Sequence, residues 1–119
     1  MCGAPLASRA ADIAAALVAD TWDTTVVGTP ASAPWLDVDA VVSVTNRPVR
    51  FDYREPSTPK TGPDPEAIVV CPATFNTINK AAAGASDTYA LGVLCSALGT
   101  RLPTLVVPMI NNKLWGHPA

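Results

Sequence analysis

Charged side chains are scarce in this sequence. They make up 15% of the 119 residues, whereas 49% are apolar, and soluble domains typically carry about 25% charged residues. Because disorder requires low hydrophobicity and high net charge, this composition excludes a disordered chain. The formal net charge of −2 leaves no basic surface of the kind that binds nucleic acid. So few charges also indicate that part of the surface is covered in a homo-oligomer.

Long apolar runs and closely spaced cysteine pairs are also missing, and there is a single histidine. No stretch reaches the roughly 18 apolar residues of a membrane-spanning helix, and the first residues lack the basic-then-apolar pattern of a secretory signal. We therefore expect a cytoplasmic protein with no membrane partner. The three cysteines, Cys2, Cys71 and Cys95, are widely spaced, and His117 is the single histidine. This set argues against a disulfide framework and against a metal site.

Helical and strand patterns alternate along the chain. Apolar spacing predicts helices at residues 8–19, 35–43 and 77–83, and a further helix that Ser86 and Asp87 cap and Gly99 ends. Short β-branched runs predict strands at residues 24–28, 49–51, 67–71 and 104–107. This alternation is typical of an α/β fold with a parallel sheet. The length fits one domain, residues 1–119, with a flexible, proline-rich loop at about residues 52–66.

Small and polar residues follow the predicted strands, where open parallel sheets bind ligands next to helix N-termini. Gly3, Ala4 and Ser8 lie in a turn that leads into the first helix, and Thr29 and Ser32 follow the next strand. These side chains fit a phosphate site, but each piece taken alone is explained as well by an ordinary turn.

Asn76 and Asn111 are the stronger candidates for ligand contact. Each follows a buried strand, where an amide has no evident packing role. Lys80 and Lys113 accompany them and are also well explained as solvated surface cations. Trp115 fits an anchor for packing or for an interface better than a ligand-stacking residue.

Two motifs resemble those of the homo-oligomeric flavin-containing cysteine decarboxylases. Pro72-Ala73-Thr74-Phe75-Asn76-Thr77 resembles the family's Pro-Ala-Ser-Ala-Asn-Thr, and residues 108–115 resemble its Pro-x-Met-Asn-x-x-Met-Trp, with Ile110 and Leu114 in place of the two methionines. Asp87 lies between them in a match to the family's Gly-x-x-Asp. The order and separation of the motifs agree, and the resemblance covers nearly the whole chain. The family includes phosphopantothenoylcysteine decarboxylases and the enzymes that decarboxylate the C-terminal cysteine of lantibiotic-type peptides.

The resemblance implies a flavodoxin-like (Rossmann-like), three-layer α/β fold that holds FMN at a subunit boundary of a homotrimer or homododecamer. The implied cofactor-binding residues are Gly3, Ala4, Ser8, Thr29, Thr74, Asn76, Thr77 and Asp87. Asn111 is the implied catalytic residue that holds the substrate carboxylate, and Ile110, Leu114 and Trp115 join it in binding the substrate. In such enzymes FMN accepts two electrons as the cysteine side chain is oxidised toward a thioaldehyde, after which carbon dioxide leaves.

Three features depart from the family pattern. Asp64-Pro65-Glu66 occupies the region of the family's proton-transferring histidine. Only Met1 and Cys2 precede Gly3 where the family has its first strand, so either the start of the sequence is misplaced or the sheet lacks a strand. Relatives continue beyond residue 119, so a fold truncated at both ends is one expectation. The first departure leaves open a non-catalytic FMN-binding or regulatory homologue. A transferase that forms prenylated flavin is less favoured, because such enzymes lack the asparagine–tryptophan motif.

Overall fold

Two parallel strands form the regular part of the sheet. The computed structural model describes residues 1–53, 56–57 and 64–119. In it β1 (Ile68–Ala73) pairs with β2 (Thr104–Pro108), beginning with Ile68 opposite Thr104. The register shifts between Val70 and Ala73. The strand therefore runs through Pro72 rather than ending there as predicted, because an irregularity accommodates a residue that has no N–H to donate.

Helices flank these strands. Within the described residues they are α1 (Ala10–Ala19), α2 (Val38–Thr45), α3 (Phe75–Ala82), α4 (Tyr89–Gly99) and α5 (Asn112–Trp115), with short 3-10 helices at Pro5–Arg9 and Pro30–Ser32. None of them is long and apolar enough to cross a membrane.

Side-chain caps decide where most of these helices begin. The side chains of Asp37, Thr74, Thr88 and Asn111 each accept a backbone N–H from the first turn that follows, which satisfies a donor that the helix leaves free. Ser86 and Asp87 were expected to cap α4; that expectation is wrong, because Thr88 does so. Gly84 follows α3 at φ 76°, the left-handed conformation that glycine commonly adopts at the end of a helix.

Three further segments extend the sheet. Arg50 and Val27 form an isolated parallel bridge, in which the Gly28 N–H donates to the Arg50 carbonyl at 2.8 Å. The Met1 amino group donates to the Val27 carbonyl at 2.9 Å. On the other side the Cys2 N–H donates to the Pro72 carbonyl at 3.1 Å. We number the five segments in chain order: those at Met1, Val27 and Arg50 are 1, 2 and 3, and β1 and β2 are 4 and 5. Side by side in the sheet they lie in the order 3-2-1-4-5, which is the order of a doubly wound sheet.

The apolar core has two halves, one on each face of this sheet. Six buried residues form the half beneath α1 and α2: Ala7, Ala10, Ala14, Val26, Leu36 and Val41. Cys2, Val70, Ala73 and Leu94 form the other half, against α3 and α4. Met1 packs on the first half and Cys2 on the second, because successive strand residues point to opposite faces. The predicted α/β class, with helices on both faces of a parallel sheet, is confirmed.

Some sequence expectations differ from the structure in detail. Ser8 does not cap the first helix but lies inside a 3-10 helix, where its hydroxyl donates to the Pro5 carbonyl at 2.8 Å. Trp22 and Trp35 are large and apolar, yet both are exposed, so neither belongs to the core of one chain. Residues 54–55 and 58–63 of the predicted flexible loop lie outside the described residues.

We predict that the buried Met1 amino group makes stability depend on pH. Burial lowers the pKa of this amine from its usual value of 8.0. The unfolded chain therefore binds more protons in the range just below pH 8, and the free energy of unfolding rises with pH across that range. Thermal unfolding at about pH 6.5 and about pH 8 measures the slope. A chain acetylated at Met1 is the control, and an equal slope in that chain would assign the effect to another group.

We also predict that residue 3 tolerates no side chain. A Cβ on Gly3 would lie 2.7 Å from the carbonyl oxygen of Ala31 and 2.8 Å from its Cβ, so a backbone segment would have to shift. Gly3→Ala should lower the free energy of unfolding by about 1–3 kcal/mol in denaturant titrations. The matched control is Gly99→Ala, where nothing lies within 4 Å of the added atom and alanine favours the helix by up to about 1 kcal/mol. Equal effects of the two substitutions would contradict the clash.

Candidate functional site

Loops that follow three neighbouring segments of the sheet meet at its carboxyl edge. Gly3 follows the first segment, Thr29 the second, and Thr74 follows β1. The first two loops touch, because Gly3 lies against the backbone of Ala31. The Ser32 hydroxyl then fixes the second loop by donating to the Thr29 carbonyl at 2.7 Å. The sequence therefore builds this corner from small residues that allow close backbone approach.

The hydroxyl of Thr29 has no partner in this corner. Its Oγ1 is buried and makes no hydrogen bond within the described part of the chain. Leaving a buried polar group unpaired costs about 1–3 kcal/mol, and such groups are rare in native proteins. An unpaired hydroxyl between two loops is thus an observation that points to a ligand oxygen at this position.

A buried polar chain links the first loop to the third. The Cys2 thiol donates to Thr77 Oγ1 at 3.3 Å, and the Thr74 hydroxyl lies 3.1 Å from the same oxygen. Thr74 Oγ1 also accepts the Thr77 N–H and so caps α3. The contact between Cys2 and Thr77 joins residues that are 75 positions apart, so no local sequence pattern reveals it.

The two asparagines lie at the same edge but on its open side. Asn76 is exposed in the first turn of α3, and Asn111 is exposed at the start of α5. Asn111 Oδ1 accepts the Leu114 N–H at 3.0 Å, which leaves the Nδ2 group as the donor available to a ligand. The Met109 N–H donates to the Ala73 carbonyl at 2.9 Å, so the loop that carries Asn111 is attached to the end of β1.

The remaining predicted residues surround this edge in different ways. Ile110 and Leu114 are half-buried, whereas Trp115 is 59% exposed. Ala4 is buried, and its N–H turns back to the Cys2 carbonyl at 2.9 Å. The structure brings Gly3, Ala4, Thr29, Thr74 and Thr77 together at one corner, where Ala4, Thr29 and Thr77 are buried and Gly3 and Thr74 are half-buried. It does not enclose Asn76 and Asn111 with them in one of the described cavities.

Asp87 is held by a cation rather than left open to a ligand. Lys80 Nζ lies 2.7 Å from its carboxylate, and this hydrogen bond lowers the pKa of Asp87. The side chain of Lys80 is 35% exposed and that of Asp87 is 58% exposed, so water screens the pair, which contributes little to stability. Its effect is local, because it ties α3 to the turn before α4.

His117 lies near the start of α3, which sequence spacing did not indicate. Its ring meets the ring of Phe75 edge-on, with centroids 5.4 Å apart, and His117 Nδ1 accepts the Ala119 N–H at 3.0 Å. The second motif is thereby folded back onto the residue that precedes Asn76. Within the described residues, no cluster of acidic, cysteine and histidine side chains could hold a metal ion.

Known proteins share both the sequence pattern and the fold. Coenzyme A biosynthesis bifunctional protein CoaBC of Thermococcus kodakarensis is 36% identical over 53 residues, which are 44% of this chain and only 13% of that protein. The structure of the FMN-dependent cysteine decarboxylase SpaF superposes with a TM-score of 0.80 at 22% identity, covering 98% of this chain and 69% of SpaF. The cypemycin decarboxylase CypD gives 0.75 at 25% identity, over 96% of this chain and 69% of CypD.

These similarities extend the sequence resemblance to the whole fold. The superpositions show that the doubly wound sheet is flavodoxin-like, as expected from the motifs. The profile of the Flavoprotein family matches residues 2–119. Because that match covers almost every residue, this chain belongs to the Flavoprotein family.

Proposed function

We propose that this protein binds FMN and catalyses the oxidative decarboxylation of a cysteine-derived carboxylate. The substrate would be a peptide that ends in cysteine, or phosphopantothenoylcysteine. Membership of the Flavoprotein family and the similarity to FMN-dependent cysteine decarboxylases support the proposal. The observation that carries it is the buried, unpaired hydroxyl of Thr29 at the carboxyl edge of the sheet.

The residues present fit the phosphate of FMN. Gly3 gives a loop without side-chain bulk, and the Thr29 hydroxyl is a buried donor with no other acceptor among the described residues. Ser8 already donates to the Pro5 carbonyl, so its hydroxyl would have to rotate before it could donate to a ligand. Helix N-termini and small loops bind phosphate through such neutral donors. Thr74, Asn76 and Thr77 would hold the flavin ring, with Asp87 at the next turn.

Asn111 would hold the substrate carboxylate. Its Oδ1 is fixed by the cap of α5, so the Nδ2 protons are oriented by the helix and can hydrogen-bond an anion. A neutral amide suits this role because a cation would stabilise the carboxylate that must leave. When bound, FMN supplies the two-electron oxidation, and the protein contributes orientation and electrostatics. Ile110, Leu114 and Trp115 would shape the surrounding substrate surface.

A neighbouring subunit would close the site. Trp115, Leu105 and Met109 are all exposed close to or on β2, and exposed apolar surface of this kind marks interaction sites. A homotrimer or homododecamer that buries this surface would also cover Asn76 and Asn111. The assembly therefore belongs to the proposal, since one chain alone leaves both asparagines open to water.

A non-catalytic FMN-binding or regulatory protein is the second candidate. Asp64-Pro65-Glu66 stands in the region where the resembling enzymes have a histidine that transfers protons. All three residues are exposed. Such a protein would keep the phosphate and ring contacts and lack turnover, so FMN binding and carbon dioxide release must be measured separately. No observation favours a prenylated-flavin transferase.

We predict that Thr29→Val weakens FMN binding and raises the stability of the FMN-free chain. The substitution removes a buried hydroxyl that has no partner, which should stabilise the FMN-free chain by about 1–3 kcal/mol. It also removes a hydrogen bond to a charged phosphate, so the FMN Kd should rise at least about 10-fold. Fluorescence titration with FMN and denaturant unfolding measure the two effects.

Thr45→Val is the matched control for this prediction. Thr45 is also a buried threonine, but its hydroxyl donates to the Val41 carbonyl at 2.9 Å and accepts the Arg47 N–H. Its loss should reduce stability and leave FMN affinity unchanged. Unchanged FMN affinity in Thr29→Val would contradict the assignment of the phosphate site.

We predict that Asn111→Asp abolishes turnover but keeps the yellow colour. Aspartate caps a helix as well as asparagine does, so α5 should persist while a negative charge replaces the donor to the substrate. Carbon dioxide release from a cysteine-terminated peptide should fall at least about 100-fold, because a charged hydrogen bond is lost and repulsion is added.

Asn112→Asp adds the same charge one residue later and is the control. It should retain most of the turnover, and equal losses in both variants would contradict the role of Asn111. A wild-type protein that is yellow but releases no carbon dioxide would support the second candidate. A colourless protein would contradict both.

A further inference from the structure

The Cys2 thiol lies inside the half-core that α3 and α4 cover. Cys2 is 2% exposed and packs with Val70 and Leu94. Its backbone is held on both sides, because its N–H donates to the Pro72 carbonyl at 3.1 Å and its carbonyl accepts the Ala4 N–H at 2.9 Å. Protein interiors are close-packed, so the sulfur atom has little room to move. The fold therefore fixes the position of the thiol.

This buried thiol makes a hydrogen bond that packing alone does not require. Cys2 Sγ donates to Thr77 Oγ1 at 3.3 Å, and Thr77 is 7% exposed. A buried cysteine usually behaves as a small apolar side chain. Here its proton occupies one of the two acceptor positions of a hydroxyl. What cysteine adds at this position, compared with alanine, is a donor aimed at Thr77.

Cys2, Thr74 and Thr77 carry one more side-chain proton than they use among themselves. The three side chains have three protons and make two contacts, from Cys2 Sγ to Thr77 Oγ1 and from Thr74 Oγ1 to Thr77 Oγ1. Because sulfur is a weak acceptor, the thiol is the donor and the remaining proton belongs to one of the hydroxyls. That proton has no hydrogen-bond acceptor within the described part of the chain. The two threonines can therefore donate to a ligand.

This proton lies in the same corner as the unpaired hydroxyl of Thr29. Thr29 and Thr77 line one cavity, and Thr29 Oγ1 is buried without a hydrogen bond among the described residues. Each of two loops thus presents a hydroxyl that needs an acceptor, and the loops follow segments that are far apart in the sequence. The coincidence indicates one ligand that is rich in acceptor atoms, as FMN is.

We propose that Cys2 is a positioning residue for FMN: its thiol directs the free proton of the Thr74–Thr77 pair toward an acceptor atom of the flavin ring. The inference rests on the proposed FMN binding and adds to it a residue that does not touch the cofactor. When the thiol fills an acceptor position of Thr77 Oγ1, that position can no longer receive an N–H from the ligand. Hydrogen bonds in a chain also polarise one another, so the thiol strengthens the outer hydroxyl as a donor.

The test compares Cys2→Ala with Cys2→Ser, because only the second substitution keeps a donor. Loss of a hydrogen bond of about 1 kcal/mol should raise the FMN Kd of Cys2→Ala about 5-fold in fluorescence titrations of the folded protein. Cys2→Ser should stay within about 2-fold of the wild type. Hydrogen bonds to the ring tune the electronics of a flavin, so the visible absorption of bound FMN should shift in Cys2→Ala and return in Cys2→Ser. Cys2→Val and Cys2→Thr repeat the comparison with larger side chains, so the test does not depend on the folding of one variant.

A double substitution shows whether Cys2 acts through Thr77. In a Thr77→Val background the thiol has lost its acceptor, so Cys2→Ala and Cys2→Ser should give equal FMN Kd values, as expected for residues that act together. Cys95→Ala is the matched control. Cys95 Sγ donates to the Ala85 carbonyl at 3.7 Å, in the turn before α4, so its loss should leave FMN affinity and absorption unchanged.

The outcomes separate the role of Cys2 from the proposed function. Unchanged FMN affinity and absorption in Cys2→Ala, or equal losses in Cys2→Ala and Cys2→Ser, would overturn the role of Cys2, whereas FMN binding by the wild type would still support the proposed function. A difference between the two variants that persists in the Thr77→Val background would also overturn the positioning role. A wild-type chain that binds no FMN would overturn both.

Discussion

The fold depends on a double pairing made by its first two residues. Met1 bonds to the segment that ends at Thr29, and Cys2 bonds to the end of β1. These contacts bring together two half-cores that otherwise pack within themselves, α1 on α2 and α3 on α4. The same contacts hold the loop at Gly3 beside the loops at Thr29 and Thr74. The corner that contains Thr29 therefore depends on the pairing of Met1 and Cys2 with their neighbours.

The candidate site uses neutral groups where many anion sites use cations. Thr29, Thr74 and Thr77 contribute hydroxyls, and Asn76 and Asn111 contribute amides. Lys80, which lies in the same helix as Asn76, is engaged by Asp87. Neutral donors hold an anion without opposing a change in its charge, which is what the proposed decarboxylation would require. Burial divides the site into a closed corner suited to a phosphate and an open rim suited to a substrate.

Much of this arrangement could be predicted from the sequence, because the two motifs combine strand ends with polar residues in a fixed order. The α/β class and the Flavoprotein family follow from them. Helix starts were less predictable, since Ser86, Asp87 and Thr88 are all good caps and only the path of the chain selects Thr88. The unpaired hydroxyl of Thr29 could not be predicted, because it results from contacts among loops far apart in the sequence. Periodicity likewise gave no sign that Trp22 and Trp35 lie on the outside.

The bond from the Met109 N–H to the Ala73 carbonyl extends the pairing of β1 and β2 beyond the strands themselves. The edge contact between Phe75 and His117 adds a second link between the same two loops. Together these two contacts join the segment that carries Asn76 to the segment that carries Asn111. A substitution that breaks either contact should therefore disturb the positions of both asparagines, although neither contact involves an asparagine side chain.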